Sequence, residues 1–147
     1  MTQGAQNYAD RPLRDRPLRI GLIAGEASGD VLGASLIQAI ALRRPDAEFF
    51  GIGGPKMIAA GLKSAYDQEK LAVRGAIEVL KHLPEILKIR RGIIAQLAAW
   101  KPDVVIGIDA PDFNLPIERR FKRAGVPTVQ LRFKSDDTEA IRQEVRA

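Results

Sequence analysis

Four short apolar runs separated by helix-patterned segments constrain this chain more than any other feature. They are Leu18–Ala24, Ala47–Ile52, Val104–Ile108 and Val126–Leu131. The first has the length a buried parallel strand needs, the third is rich in β-branched residues, and the other two also read as strands. Between them lie a helical pattern from Asp30 to Arg43, a short one opened by Pro55 and closed by Gly61, a long one from Ala76 to about Trp100, and another from Leu115 to Ala124. Strands that alternate with helices require a parallel sheet with helices on both faces, joined by right-handed crossovers. The expected class is α/β.

The chain has 147 residues, room for one domain with a real core. Aromatics make up only 5%, so that core must be built from Ile, Leu, Val and Ala. There is no cysteine, which excludes a disulfide framework and a Cys-based zinc site. No apolar run reaches the roughly 18 residues of a membrane-spanning helix. Residues 1–17 are polar and are expected to form a disordered leader; residues 18–131 are expected to form the domain. Residues 132–147 read as a polar tail, and 136–147 are compatible with one amphipathic helix. Pro84 is expected to split the long helical pattern in two, because an interior proline costs about 3 kcal/mol. Residues 62–75 carry no clear pattern, with a short strand at Leu71–Val73 as one option.

Three loops leave the carboxyl ends of strands, where an open parallel sheet binds its ligands. The loop after the third run reads Asp109-Ala110-Pro111-Asp112-Phe113-Asn114. A carboxylate delivered there by a buried strand is a candidate general base, so Asp109 is the catalytic candidate. Asp112 and Asn114 are assigned to capping and loop shape. A purely structural Asp109, bonded to backbone amides, is the competing reading.

The first loop, Gly25-Glu26-Ala27-Ser28-Gly29-Asp30, is neither a phosphate-binding Walker loop nor a dinucleotide fingerprint. Glu26 and Ser28 suit a hydroxyl-rich ligand such as a sugar, and Ser28 or Asp30 could cap the next helix. An ordinary βα turn fits the same residues. In the second loop, Gly53 and Gly54 would let a ligand lie on bare backbone, with Lys56 reaching a phosphate; a plain glycine-rich connection fits equally. The single histidine, His82, is read as a surface or packing residue rather than a catalytic one, and no His/Asp/Glu cluster has metal-ligand spacing.

The net charge of +5 is concentrated in short basic clusters that suit anionic partners. The amphipathic stretch from Gly75 to Arg91 pairs apolar residues with Lys81, Lys88, Arg90 and Arg91. Most of it is read as cover for the sheet, and its outer end as a surface for lipid contact. The basic clusters lack interleaved aromatics, so nucleic acid is not an expected partner.

These segments together resemble the lipid-A-disaccharide synthase family. The resemblance rests on Ala24-Gly25-Glu26-Ala27-Ser28-Gly29-Asp30 and on Gly51-Ile52-Gly53-Gly54-Pro55-Lys56-Met57. It continues through Leu71-Ala72-Val73-Arg74-Gly75, Glu78-Val79-Leu80 and Ile89-Arg90-Arg91, and ends with Pro102-Asp103-Val104 and Gly107 to Asn114. It covers about residues 18–130, after which the chain leaves the family pattern.

The resemblance implies the amino-terminal, acceptor-side half of a GT-B glycosyltransferase, a Rossmann-like domain whose carboxyl-terminal, nucleotide-sugar partner is absent. It implies UDP-2,3-diacylglucosamine as donor and 2,3-diacylglucosamine 1-phosphate as acceptor, with a β-1,6-linked disaccharide 1-phosphate and UDP as products. It also implies Asp109 as base, no cofactor or metal, and a cytoplasmic, peripheral place at the inner-membrane surface. A truncated chain of this kind is expected to be inactive alone unless a separate chain supplies the missing domain. The rival reading is a non-catalytic lipid- or partner-binding α/β module.

Overall fold

The computed structural model describes residues 12–71 and 76–131. The tail expected at 132–147 and the option of a strand at Leu71–Val73 fall largely outside them. The elements in order are β1 (Arg19–Ala24), α1 (Ala27–Arg43), β2 (Glu48–Gly53), α2 (Pro55–Ala60) and β3 (Leu62–Asp67). After a 3-10 turn at Gln68–Leu71 come α3 (Ala76–Trp100), β4 (Val104–Ile108), α4 (Pro111–Arg123) and β5 (Thr128–Leu131). The sheet is wholly parallel, in the order β3-β2-β1-β4-β5.

Strand alternation divides the core into two layers. Ile20, Leu22 and Ala24 of β1 pack with Ile37 of α1 and Met57 of α2 on one face. Ile23 packs with Ile93 and Leu97 of α3 and Ile117 of α4 on the other. Each such fully buried side chain contributes about 1.5–3 kcal/mol. Gly21 and Gly107 lie on the α3/α4 face. A Cβ at Gly21 would stand 3.1 Å from Leu97 Cδ2, so the bare backbone lets α3 approach.

Three expectations are corrected. Pro84 does not divide α3, which is one helix of 25 residues. Pro84 and Leu80, whose carbonyl would have accepted the missing N–H, both lie on the solvent side, where water can satisfy that oxygen. Residues 62–67 form a fifth strand at the sheet edge. Last, residues 12–17 are not a disordered leader: Leu13–Asp15 form a 3-10 turn and Arg16 is buried. Arg16 Nη1 donates to Asp103 Oδ2 at 2.7 Å, and Arg44 Nη2 donates to the carbonyls of Leu13 and Arg16. Residues 1–11 of that leader lie outside the described residues.

Candidate active site

Strand order reverses between β1 and β4, because β2 and β3 lie on one side of β1 while β4 and β5 lie on the other. At such a switch point the loops leaving the two central strands diverge and open a crevice. The loops concerned are Gly25–Glu26 after β1 and Asp109–Ala110 after β4. They touch: a Cβ at Gly25 would stand 3.0 Å from the Ala110 Cβ. Glycine at 25 therefore lets the two loops close against each other.

Asp109 follows the last residue of β4 and is half-buried. Its backbone is unusual. Asp109 has φ 50° and Ala110 has φ 44°, so two consecutive non-glycine residues occupy the left-handed region. Each costs about 1–3 kcal/mol and persists only where the surroundings impose it. The surroundings here are specific. Asp109 N–H donates to the Leu131 carbonyl at 2.9 Å. The Asp109 carbonyl accepts from Asn114 Nδ2 at 2.8 Å and from Gln130 Nε2 at 3.2 Å. Ala110 is the N-cap of α4, and its carbonyl accepts from the amides of Phe113 and Asn114.

Beside these loops is a cavity of about 330 Å³. Its lining combines the polar side chains of Glu26, Arg90 and Asp112 with the apolar ones of Leu83, Ile86, Leu87, Ala110 and Phe113. Arg90 Nη1 donates to the Asp112 carbonyl at 3.1 Å, which holds the one basic side chain that the described residues bring to that lining.

The second predicted loop faces a different cavity, of about 590 Å³, lined by Gly53, Gly54, Lys56, Asp67 and Glu69 among others. So the predicted ligand contacts share one rim but divide between two cavities: Glu26 stands at the switch point, and Gly53, Gly54 and Lys56 stand over β2. Ser28 is exposed on the first turn of α1 and lines neither. Ser28 and Asp30 also do not cap α1, whose N-cap is Glu26 without a side-chain bond. Asp30 instead accepts from the amides of Lys56 and Met57 and so caps α2. The reason is its burial: one turn into α1, its carboxylate faces the amide end of α2 rather than its own.

Two further residues had no signal in the sequence. Gln68 Nε2 donates to the carbonyls of Ala24 and Glu26, tying the first loop to the turn after β3. Gln130 reaches across from β5 because it lies opposite Gly107, whose missing side chain leaves room for it. His82 is exposed. No group of three or more His, Cys, Asp or Glu among the described residues is placed to hold a metal ion.

A family model described as lipid-A-disaccharide synthetase matches residues 20–131. The chain belongs to the lipid-A-disaccharide synthetase family. Curated lipid-A-disaccharide synthases resemble it closely. That of Neisseria meningitidis serogroup A is 61% identical over 110 residues, covering 75% of this chain and 29% of the relative. That of Xanthomonas campestris pv. campestris strain 8004 is 60% identical over 116 residues, covering 79% and 26%. That of Chromohalobacter salexigens is 58% identical over 112 residues, covering 76% and 29%. The chain thus spans between a quarter and a third of the length of these synthases.

Solved glycosyltransferases share the fold. The kitacinnamycin glycotransferase superposes with a TM-score of 0.54 at 19% identity, over 89% of this chain and 34% of that one. The calicheamicin glycosyltransferase CalG4 gives 0.51 at 20% identity, over 88% and 34%. The α/β expectation and the likeness to one half of a GT-B synthetase both stand.

Proposed function

We propose that this chain is the acceptor-side domain of a lipid-A-disaccharide synthase and that Asp109 is its general base. The observation that carries the reading is the place of Asp109: one residue past a central strand, at the switch point, beside a cavity that its neighbour Ala110 lines, although Asp109 itself does not, and that has an apolar wall and Arg90. The acceptor, 2,3-diacylglucosamine 1-phosphate, combines acyl chains, a sugar and a phosphate. Leu83, Ile86, Leu87 and Phe113 would receive acyl carbons, Glu26 a sugar hydroxyl, and Arg90 the phosphate.

In the proposed reaction the acceptor 6-hydroxyl attacks the anomeric carbon of UDP-2,3-diacylglucosamine from the face opposite UDP. A new C–O bond forms as the bond to UDP breaks, UDP leaves with the electron pair, and the hydroxyl proton passes to Asp109. The donor's nucleotide would be held by a second Rossmann-like domain, in the same polypeptide or in a separate chain. Gly53, Gly54 and Lys56, over the larger cavity, are proposed as contacts to the outer part of the bound substrate, and Ser28 as a rim contact.

A membrane-surface location fits the same geometry. No helix among the described residues is long and apolar enough to cross a membrane. Yet α3 exposes Ile77 and Leu80, at 73% and 70%, close to the acceptor cavity, with Lys81 and Lys88 exposed nearby. Such a helix end would meet lipid by apolar insertion and anionic headgroups by charge. We place it at the cytoplasmic face of the inner membrane.

The test is a titration of the isotope-labelled chain with acceptor in micelles, followed by amide NMR. The expected result is shifts at Glu26, Arg90 and residues 109–113. Shifts confined to the lining of the larger cavity would overturn the assignment of the site.

A further inference from the structure

We propose that Asn114 and Gln130 are positioning residues that hold the candidate base in its working geometry; the inference rests on the reading of Asp109 given above. The backbone at 109–110 is left-handed twice over without a glycine. Aspartate tolerates this region, but Ala110 does not favour it and also precedes a proline, so left to itself the turn would open at residue 110. Two side-chain amides oppose that by binding the same carbonyl, that of Asp109. One comes from the first turns of α4 and the other from β5, so the turn is gripped from two separate elements.

The arrangement is costly in ways that packing alone does not require. Asn114 is 1% exposed, and its Oδ1 finds no hydrogen-bond partner among the described residues. The Gln130 Oε1 is in the same position. Each amide thus leaves a buried acceptor unsatisfied while its N–H₂ binds Asp109; that of Asn114 also reaches the Ile23 carbonyl of β1 at 3.4 Å, its longer bond. A buried polar group that sacrifices one end is explained when the other end does something an apolar residue could not. Gly107 completes the device: a Cβ there would meet Glu118 Oε1 first, and would stand 2.6 Å from Gln130 Oε1 and 3.0 Å from Asn114 Nδ2. Bare backbone under both amides is what allows them to converge.

Rotation of the 109–110 backbone out of the left-handed region would swing the Asp109 carboxylate relative to the crevice. Clamping the carbonyl therefore fixes where the carboxylate stands, without either amide touching substrate. A base must lie within hydrogen-bond reach of the proton it takes, so this aim decides whether it works.

The experiment uses the 147-residue chain, labelled with ¹³C and ¹⁵N, as wild type, Gln130→Met and Asp109→Asn. Gln130 lies on an edge strand and is half-buried, so methionine should be tolerated there. Backbone couplings and Cα shifts report φ at 109 and 110, and acceptor affinity is read in micelles. The expected result for Gln130→Met is a cooperative fold, loss of the positive-φ signature at both residues, and acceptor binding about tenfold weaker. A second variant, Asn114→Leu, is made in an Ala110→Gly background, where the left-handed turn no longer strains residue 110. Glycine should recover folding there without recovering affinity.

Persistence of the positive-φ signature in Gln130→Met would overturn the clamp. So would unchanged affinity in that variant when Asp109→Asn is weakened. Unchanged affinity in Asp109→Asn itself would instead overturn the reading of Asp109 on which the inference rests.

Discussion

Asp30 caps a helix that it does not belong to: from the first turns of α1, its Oδ1 accepts the Met57 amide of α2 at 2.9 Å and its Oδ2 the Lys56 amide at 3.1 Å. The helix it serves has six residues and no side-chain cap on its own N-cap residue, Gly54. So short a helix is not stable by propensity and depends on such support. Asp30→Ala should lower the unfolding free energy by about 2 kcal/mol, since it removes two charge-assisted bonds and leaves two buried amides unpaired. Urea unfolding should show a reduced midpoint with an unchanged slope.

Met57, on the same helix, is fully buried in a slot made by two glycines. A Cβ at Gly33 or at Gly53 would approach the Met57 sulfur to 2.5 and 2.7 Å. Met57→Ala should cost about 2–5 kcal/mol through the cavity it leaves. Gly33→Ala alone should cost about 1–3 kcal/mol by overpacking. Combined, the pair should be less destabilising than the sum, because the new methyl enters vacated space and alanine favours the helix. A double-mutant cycle by denaturant unfolding measures this coupling.

Arg16 fastens the segment ahead of β1. Its side chain is 6% exposed and is paired with both oxygens of Asp103, which also accepts the Arg19 amide at 2.8 Å. Removing one partner of a buried pair strands the other, at about 3 kcal/mol. Arg16→Ala should lose stability of that order. Amide hydrogen exchange should show faster opening at residues 13–19.

The surface pair Arg44–Asp46 sets a pH dependence of known sign. The hydrogen bond from Arg44 holds the Asp46 carboxyl below its ordinary value of 3.8. A carboxyl with a lower value in the folded chain than in the unfolded one favours folding above the unfolded value. That contribution is lost as pH falls through the folded value. The ¹³Cγ resonance of Asp46 should therefore titrate below the usual carboxylate range, and Arg44→Ala should return it upward. Asp46 is exposed and the pair is a surface one, so its protonation should scarcely move the midpoint of thermal unfolding.

A bare Cβ at Gly51 would overlap the Leu22 carbonyl oxygen. Because the obstacle is backbone in the next strand, no rotamer can relieve it. Gly51→Ala should fail to give a cooperatively folding chain, as judged by circular dichroism and the loss of a sharp melting transition.

The parts of the fold that were legible in the sequence are those decided locally. β1 and β4 announce themselves because they are largely buried on both faces and so carry apolar runs, and β2 through the apolar segment 49–52 that follows its exposed Glu48. β3 did not, because Leu-Lys-Ser-Ala-Tyr-Asp sits at the sheet edge, where charge and small polar residues replace the apolar pattern. Pro84 misled because its cost depends on whether water reaches the orphaned carbonyl, which only the packing reveals. The position of Asp109 and Glu26 directly after two central strands was legible in the sequence. The left-handed turn at Ala110 was not, since nothing in Asp-Ala-Pro signals it. Its causes, Asn114 and Gln130, lie 5 and 21 residues from Asp109. Asp30 was legible as a cap, but its partner helix lies 26 residues away and is chosen by tertiary structure.

The central claim is that Asp109 takes the proton of the acceptor hydroxyl, and a structure of the chain with 2,3-diacylglucosamine 1-phosphate bound tests it most directly. The account predicts the 6-hydroxyl within about 3 Å of an Asp109 carboxylate oxygen, acyl carbons against Leu83 and Phe113, and phosphate on Arg90. A sugar seated over Gly54 and Lys56, with its 6-hydroxyl beyond the reach of Asp109, would contradict it.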